Sequence, residues 1–292
     1  MNTQRVVRLF IFATSLLLAQ TPCERPAFIK ALTLSSTLKS LERYPDIKRN
    51  YQSLKGLCVD QISFKEGKYQ WKMLLVTHPR QSKGPFWFLP HDNEQTAFAS
   101  AIYATKRYGG GFLAVMANDR RYFEGQDPNR NFGNTVRTAR NCKKQNYPAP
   151  IYSKVIFSII DHYKYRSFPY LALHNNLDGK GSISILKESN NITNYRAYSH
   201  ISKGSKGGLN DEDSLIYIAG TDKTPNRSKL NALLKKGINT RYERVDTNNN
   251  DCSLSNFVVL NRHSTNYYNI ETQHGDLETQ KRMIDMLMQL IK

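Results

Sequence analysis

Phe86 to Leu89 (FWFL) run into Pro90 and then, with no spacer, into His91, Asp92, Asn93 and Glu94. The next stretch, EQTAFASAIYATKRYGGG, puts Ala97, Phe98, Ala101, Ile102 and Thr105 on one helical face and ends on glycines that stop a helix. A second apolar run, Phe112 to Met116, follows. This strand–helix–strand order recurs along the chain. Further strand candidates are Tyr69–Thr77, Tyr170–His174, Ser182–Leu186, Leu215–Ala219, Phe257–Leu260 and Tyr267–Glu271. Helix candidates lie at Ile151–Tyr163, at Ser228 to Gly237 with Ser228 as N-cap, and at Leu277–Ile291, where Leu277, Ile284, Leu287, Met288 and Ile291 form a stripe. Alternating units of this kind define an α/β fold with a mixed, largely parallel central sheet covered by helices. The stretches 187–213 and 246–256, rich in Asn, Gly and Ser, read as long loops.

The ends of the chain differ in character. Arg5 and Arg8 precede LFIFATSLLLA (Leu9 to Ala19), an apolar run shorter than the roughly 20 residues of a membrane span. Residues 1–22 are therefore expected to be a signal peptide, cleaved between Ala19 and Cys23, which implies a periplasmic or secreted protein with no stable membrane span. Residues 23–55 carry one weak helical pattern and read as a lead-in; 56–292 form a single domain. Cys23, Cys58, Cys142 and Cys252 are too far apart for a CxxC metal site. In an exported protein they are disulfide candidates, but spacing does not set the pairing.

The formal net charge is +18. Such a surface attracts polyanions, yet the basic residues are dispersed and carry no nucleic-acid-binding signature. With an export signal, anionic envelope polymers are the expected polyanionic partners, and a surface charged for solubility alone is the equal alternative.

Ligands of open α/β sheets bind beyond the carboxyl ends of the strands. His91 and Glu94 follow FWFL, His174 follows YLAL, Glu271 closes NYYNIE, and Asp127, Asn129 and Arg130 sit in the connection after FLAVM. His-x-x-Glu at a helix start puts both side chains on one face. A distant histidine added to that pair gives two imidazoles and a carboxylate, a catalytic zinc set with one position open for water. Such chemistry also needs a separate carboxylate to move the proton and fixed cations for the oxyanion and for a substrate carboxylate.

Here the chain resembles the zinc carboxypeptidase superfamily, including its succinylglutamate desuccinylase and aspartoacylase branch. Four short motifs between residues 86 and 271 carry the resemblance: PHDNE is similar to the family's HxxE, DPNRNF to its D-L-N-R-N-F, LALHNN has a strand-end histidine in the third-ligand position, and YNIETQ has the general-base glutamate. The resemblance implies that His91, Glu94 and His174 hold Zn2+ and that Glu271 is general base and acid. It further implies that Asn129 and Arg130 grip a substrate carboxylate and that Arg121 supports the oxyanion. Pro128 replaces the family's Leu, the interval from His91 to Arg130 is closer to the deacylase branch, and that from His174 to Glu271 is long for either branch. Tyr242, Tyr267 and Tyr268 are the candidates for a substrate-capping tyrosine.

Each motif also has a plain reading: a surface helix start, a hydrogen-bonded strand-end histidine, a turn with an ion-paired arginine, a solvated strand end. Three functions stay open. The first is an exported carboxypeptidase-like zinc hydrolase acting on a peptide, with cell-wall peptide as the attractive substrate. The others are an N-acyl amino acid deacylase and a catalytically inactive binding protein on the same scaffold.

Overall fold

The computed structural model describes residues 23–133, 135, 149–177, 183–186, 195–199 and 208–291. The expected signal peptide, Cys142 and much of the 187–213 stretch lie outside the described residues.

Ten strands form one sheet: β1 (Thr33–Ser35), β2 (Cys58–Glu66), β3 (Tyr69–Thr77), β4 (Phe86–Leu89), β5 (Gly111–Val115), β6 (Tyr170–Asn176), β7 (Tyr195–Tyr198), β8 (Leu215–Gly220), β9 (Asn239–Arg244) and β10 (Tyr267–Gln273). Their order is β1-β2-β3-β5-β4-β6-β10-β8-β9-β7. The middle four, β5, β4, β6 and β10, run parallel, as do β8 and β9. All other pairings are antiparallel, so the helix-crossed centre is flanked by antiparallel edges.

Eight helices cover the sheet among the described residues: α1 (Ala27–Leu32), α2 (Leu38–Leu41), α3 (Pro45–Leu54), α4 (Gln95–Tyr108), α5 (Pro150–Tyr163), α6 (Arg227–Lys235), α7 (Leu254–Asn261) and α8 (Leu277–Ile291). Two cores lie on opposite faces. Phe86 and Phe88 of β4 join Tyr152, Phe157 and Phe257 in one, while Trp87 and Leu89 join Phe98, Ile102, Ile284 and Leu287 in the other. A strand buried on both faces must be apolar throughout, which explains the unbroken FWFL run.

The lead-in packs closely on this sheet. Cys23 is disulfide-bonded to Cys58 of β2, with Cα atoms 5.7 Å apart, and Arg25 Nε donates to Asp60 Oδ2 at 2.8 Å. Leu41, Ile47 and Leu54 are buried. Each such side chain contributes about 1.5–3 kcal/mol relative to exposure. The weak helical pattern thus becomes three helices and an edge strand, stabilised by tertiary burial.

Two expected strands differ. Phe257–Leu260 lies inside α7, whose start is set upstream by Ser253, the Oγ of which accepts from Asn256 N. Four apolar residues do not distinguish a buried helix from a buried strand by periodicity. In the stretch Ser182–Leu186, residues 183–186 form a turn in which Ser184 Oγ accepts from Leu186 N. Strand β9 is not evident from NTRYER because its buried positions include Arg241 and Glu243.

Candidate metal centre

Pro90 has no N–H to donate, so the β4 ladder ends before it. The chain then turns, with Glu94 N donating to the His91 carbonyl at 3.2 Å, and Glu94 becomes the N-cap residue of α4, its carbonyl accepting from Phe98 N. His174 arrives from the next strand. Trp87 and Phe88 of β4 pair with Leu171 and Ala172 of β6, so two residues further on β6 delivers His174 level with the chain leaving β4.

The three side chains converge and are buried. His91 Nδ1 lies 2.7 Å from Glu94 Oε1, and His174 Nδ1 lies 3.1 Å from Glu94 Oε2. One ligand atom from each falls within 4.8 Å of the others, and the two imidazole centroids are 5.0 Å apart. Neighbours hold the set in place. Asp127 Oδ1 lies 3.0 Å from His91 Nε2, Asn175 N donates to Glu94 Oε2 at 3.1 Å, and Gln280 Nε2 donates to the His174 carbonyl at 2.9 Å.

The electrostatics follow from this packing. Burial disfavours the charged form of His91, but the carboxylates of Glu94 and Asp127 outweigh it and raise its pKa. Burial likewise works against charge on Glu94, yet His91 and His174 hold it well below the usual carboxylate range. Asp127 is depressed in the same way, burial being overcome by its bond to His91.

His91 therefore has a carboxylate oxygen at each ring nitrogen. With the Nε2 hydrogen given to Asp127, the Nδ1 lone pair faces Glu94 Oε1, and two acceptors at that distance need a proton or a cation between them. Two imidazole nitrogens and a carboxylate fit a divalent cation of the zinc type, with a coordination position left over. His91, Glu94 and His174 are the residues that would hold it, with Asp127 orienting His91 from behind.

Glu271 lies on β10, in register opposite His174 on β6. It is buried; Oε1 accepts from Asn269 Nδ2 at 2.9 Å, while Oε2 has no hydrogen-bond partner among the described residues. Burial, reinforced by the charge of Glu94 and opposed by His174, pushes its pKa up to about 7. Arg121 Nη1 reaches Glu94 Oε1 at 3.3 Å, and Nη2 stands 4.0 Å from Asp127 Oδ2.

Arg130 and Asn129 sit on a single 3-10 turn, Pro128–Arg130. Arg130 Nε faces Asp251 Oδ2 at 3.3 Å, and burial lowers its pKa less than Asp251 and Asp127 raise it. Asn129 Oδ1 accepts from Leu254 N at 3.1 Å, which fastens the turn to the start of α7. Asp92, the residue after His91, accepts instead from Ala117 N and Asp119 N. Tyr242, Tyr267 and Tyr268 are all buried, and the Tyr242 hydroxyl donates to the Asp222 carbonyl at 2.7 Å. None of the three offers an exposed phenol for capping a substrate. The motif reading leaves Asp127 and Asn269 without tasks; Asp127 could have been found as the carboxylate leading DPNRNF, whereas Asn269 becomes visible only through its contact with Glu271.

No family model and no curated protein matches the chain. Among solved structures, it is similar to a presumed metallopeptidase from Shewanella amazonensis SB2B, at 14% identity and a TM-score of 0.46 over 84% of this chain and 92% of that one. It is also similar to an aspartoacylase family protein from Mesorhizobium loti, at 10% identity and a TM-score of 0.42 over 82% and 68%. A third similarity is to bovine thrombin-activatable fibrinolysis inhibitor, at 9% identity and a TM-score of 0.39 over 88% and 94%.

Proposed function

We propose that the chain is an exported zinc-dependent hydrolase that cleaves an amide bond next to a free carboxylate, with a cell-wall peptide as the substrate class. The observation that carries this reading is the buried His91–Glu94–His174 cluster with the free Oε2 of Glu271 on the adjoining strand. A zinc ion held there would activate water and polarise the amide carbonyl. Glu271 takes the proton of the attacking water and passes it to the departing nitrogen, work suited to a carboxyl raised to about 7. Arg121, anchored by Glu94, supports charge developing on the carbonyl oxygen. Arg130 binds the substrate carboxylate and shares its guanidinium with Asp251.

The Cys23–Cys58 bond and the disulfide-bonded state of Cys252 favour an oxidising compartment, in keeping with export. Among the described residues no helix is long and apolar enough to cross a membrane.

Arg121 beside Glu94 also favours a second reading, an N-acyl amino acid deacylase, because the resemblance to that branch places an arginine there. Metal analysis of the purified protein, followed by digestion of a peptide library and of N-acyl amino acids, separates the readings. The peptidase reading expects bound zinc and cleavage of peptides that is lost in His91→Ala. Cleavage of acyl amino acids alone identifies a deacylase. A protein that binds no zinc and hydrolyses neither substrate is a binding protein.

A further inference from the structure

Across the loop from the metal centre lies a cavity of about 240 Å³. Its walls come from Tyr44 at the start of α3, Gln70 and Lys72 of β3, and Asn118, Arg120, Tyr122 and Glu124 of the loop after β5. The loop alternates in direction: Arg121 reaches Glu94, while its neighbours Arg120 and Tyr122 line the cavity.

The loop is held firmly. Asp92 binds Ala117 N and Asp119 N, the Phe123 and Gln126 backbones exchange two hydrogen bonds, and the Phe123 ring stacks on Trp71 at 4.6 Å. Asn118, Asp119 and Glu124 all have positive φ; Asn and Asp enter this region more readily than other side chains, and Glu124 is the uncommon case. A cavity set by such a loop exists before any ligand arrives.

Of the polar groups facing the cavity, Gln70 Nε2 donates to Ser63 Oγ at 2.5 Å and the Tyr44 hydroxyl accepts from Gln61 Nε2 at 2.9 Å, so both are used by the fold. Among the described residues, the side chains of Lys72, Asn118, Arg120 and Tyr122 make no hydrogen bond or ion pair. Two cations against the one carboxylate of Glu124 leave a net positive charge that calls for an anion, Asn118 offers an amide to a hydroxyl group, and Tyr122 offers a ring face. The volume falls just below the roughly 300–1,000 Å³ of common small-molecule pockets, so it takes one ring and not a long chain. We infer that this cavity is a binding site for a carboxylate-bearing sugar residue, with Lys72 and Arg120 on the carboxylate and Tyr122 against the ring. The site is separate from the metal centre and does not depend on zinc.

The test is titration of the full chain, with and without chelator, using glucuronic acid as probe and glucose and acetate as controls. Binding is read by calorimetry and by amide shifts of residues 117–124. Glucuronic acid is expected to bind at least tenfold more tightly than either control, with or without chelator. The double variant Lys72→Gln/Arg120→Gln, and separately Tyr122→Ala, should weaken it at least tenfold while the thermal midpoint and hydrolysis of a small amide substrate stay unchanged. Equal affinity for glucose or acetate, binding indifferent to the variants, or shifts outside 117–124 would overturn the assignment. Arg120→Glu, an exposed change, serves if the double variant does not fold, and its expected outcome is the same loss.

Discussion

Glu271 and His174 are register partners on the neighbouring parallel strands β10 and β6. They lie 97 positions apart in the chain, yet the ladder places the carboxyl beside the metal-site imidazole without the help of a loop. Parallel pairing in the middle of the sheet therefore fixes the relation between the proposed proton carrier and the proposed ligand set.

Replacing Glu271 by Gln should leave zinc content unchanged and lower kcat by about 10²–10⁴, the usual contribution of a positioned acid or base. Metal analysis beside steady-state kinetics measures both. Retained turnover in this variant would remove Glu271 from the mechanism.

Activity should fall in acid. Burial raises the Glu271 carboxyl, a divalent cation at the neighbouring cluster works against that rise, and only the ionised form accepts a proton. A pH–kcat/KM profile from 4 to 9 is the measurement, and activity that does not fall toward acid would contradict the role of Glu271 as base.

Asp127→Asn keeps the shape of the contact to His91 Nε2 but removes its charge. Metal affinity should weaken by about 10–100-fold, as for other groups that orient a ligating histidine. Competition with a chromophoric chelator gives the number, with His91→Ala as the reference for complete loss.

Glu243 is buried, and burial together with the charge of Asp251 pushes its pKa up to about 7. Since the folded value lies above the unfolded one, the folded state binds the extra proton between them. The associated stability is fully present below the unfolded pKa and is lost as pH rises through about 7. Thermal midpoints of the wild type should therefore decline over that range more steeply than those of Glu243→Gln.

Removing the Cys23–Cys58 bond in a Cys23→Ser/Cys58→Ser double variant should cost about 2–4 kcal/mol, read from denaturant midpoints. No change would mean that Arg25–Asp60 and the buried lead-in side chains suffice to dock residues 23–55.

Local pattern determined much of this molecule. FWFL, Pro90 and the alanine-rich stripe after Glu94 place β4, the turn and α4 where the structure has them, because an apolar run, a missing donor and a helical period act over a few residues. The stripe Leu277–Ile291 likewise emerges as α8 with the expected bounds. Long-range decisions were different. The four apolar residues Phe257–Leu260 suit a strand or a buried helix equally, and only the Ser253 cap and the packing of Phe257 on Phe157, at 4.2 Å between rings, select α7. The polar β9 pairs because β8 offers it a ladder.

The same division runs through the site. Sequence alone put His91, Glu94, His174 and Glu271 at the ends of elements. Tertiary structure decided that three of them share one buried point, that Asp127 stands behind His91, and that Asp92 turns away to hold the 117–119 loop. The reason is physical: hydrophobic period and turn chemistry act between near neighbours, whereas the meeting of ligands depends on strand order and register, which only the assembled sheet fixes.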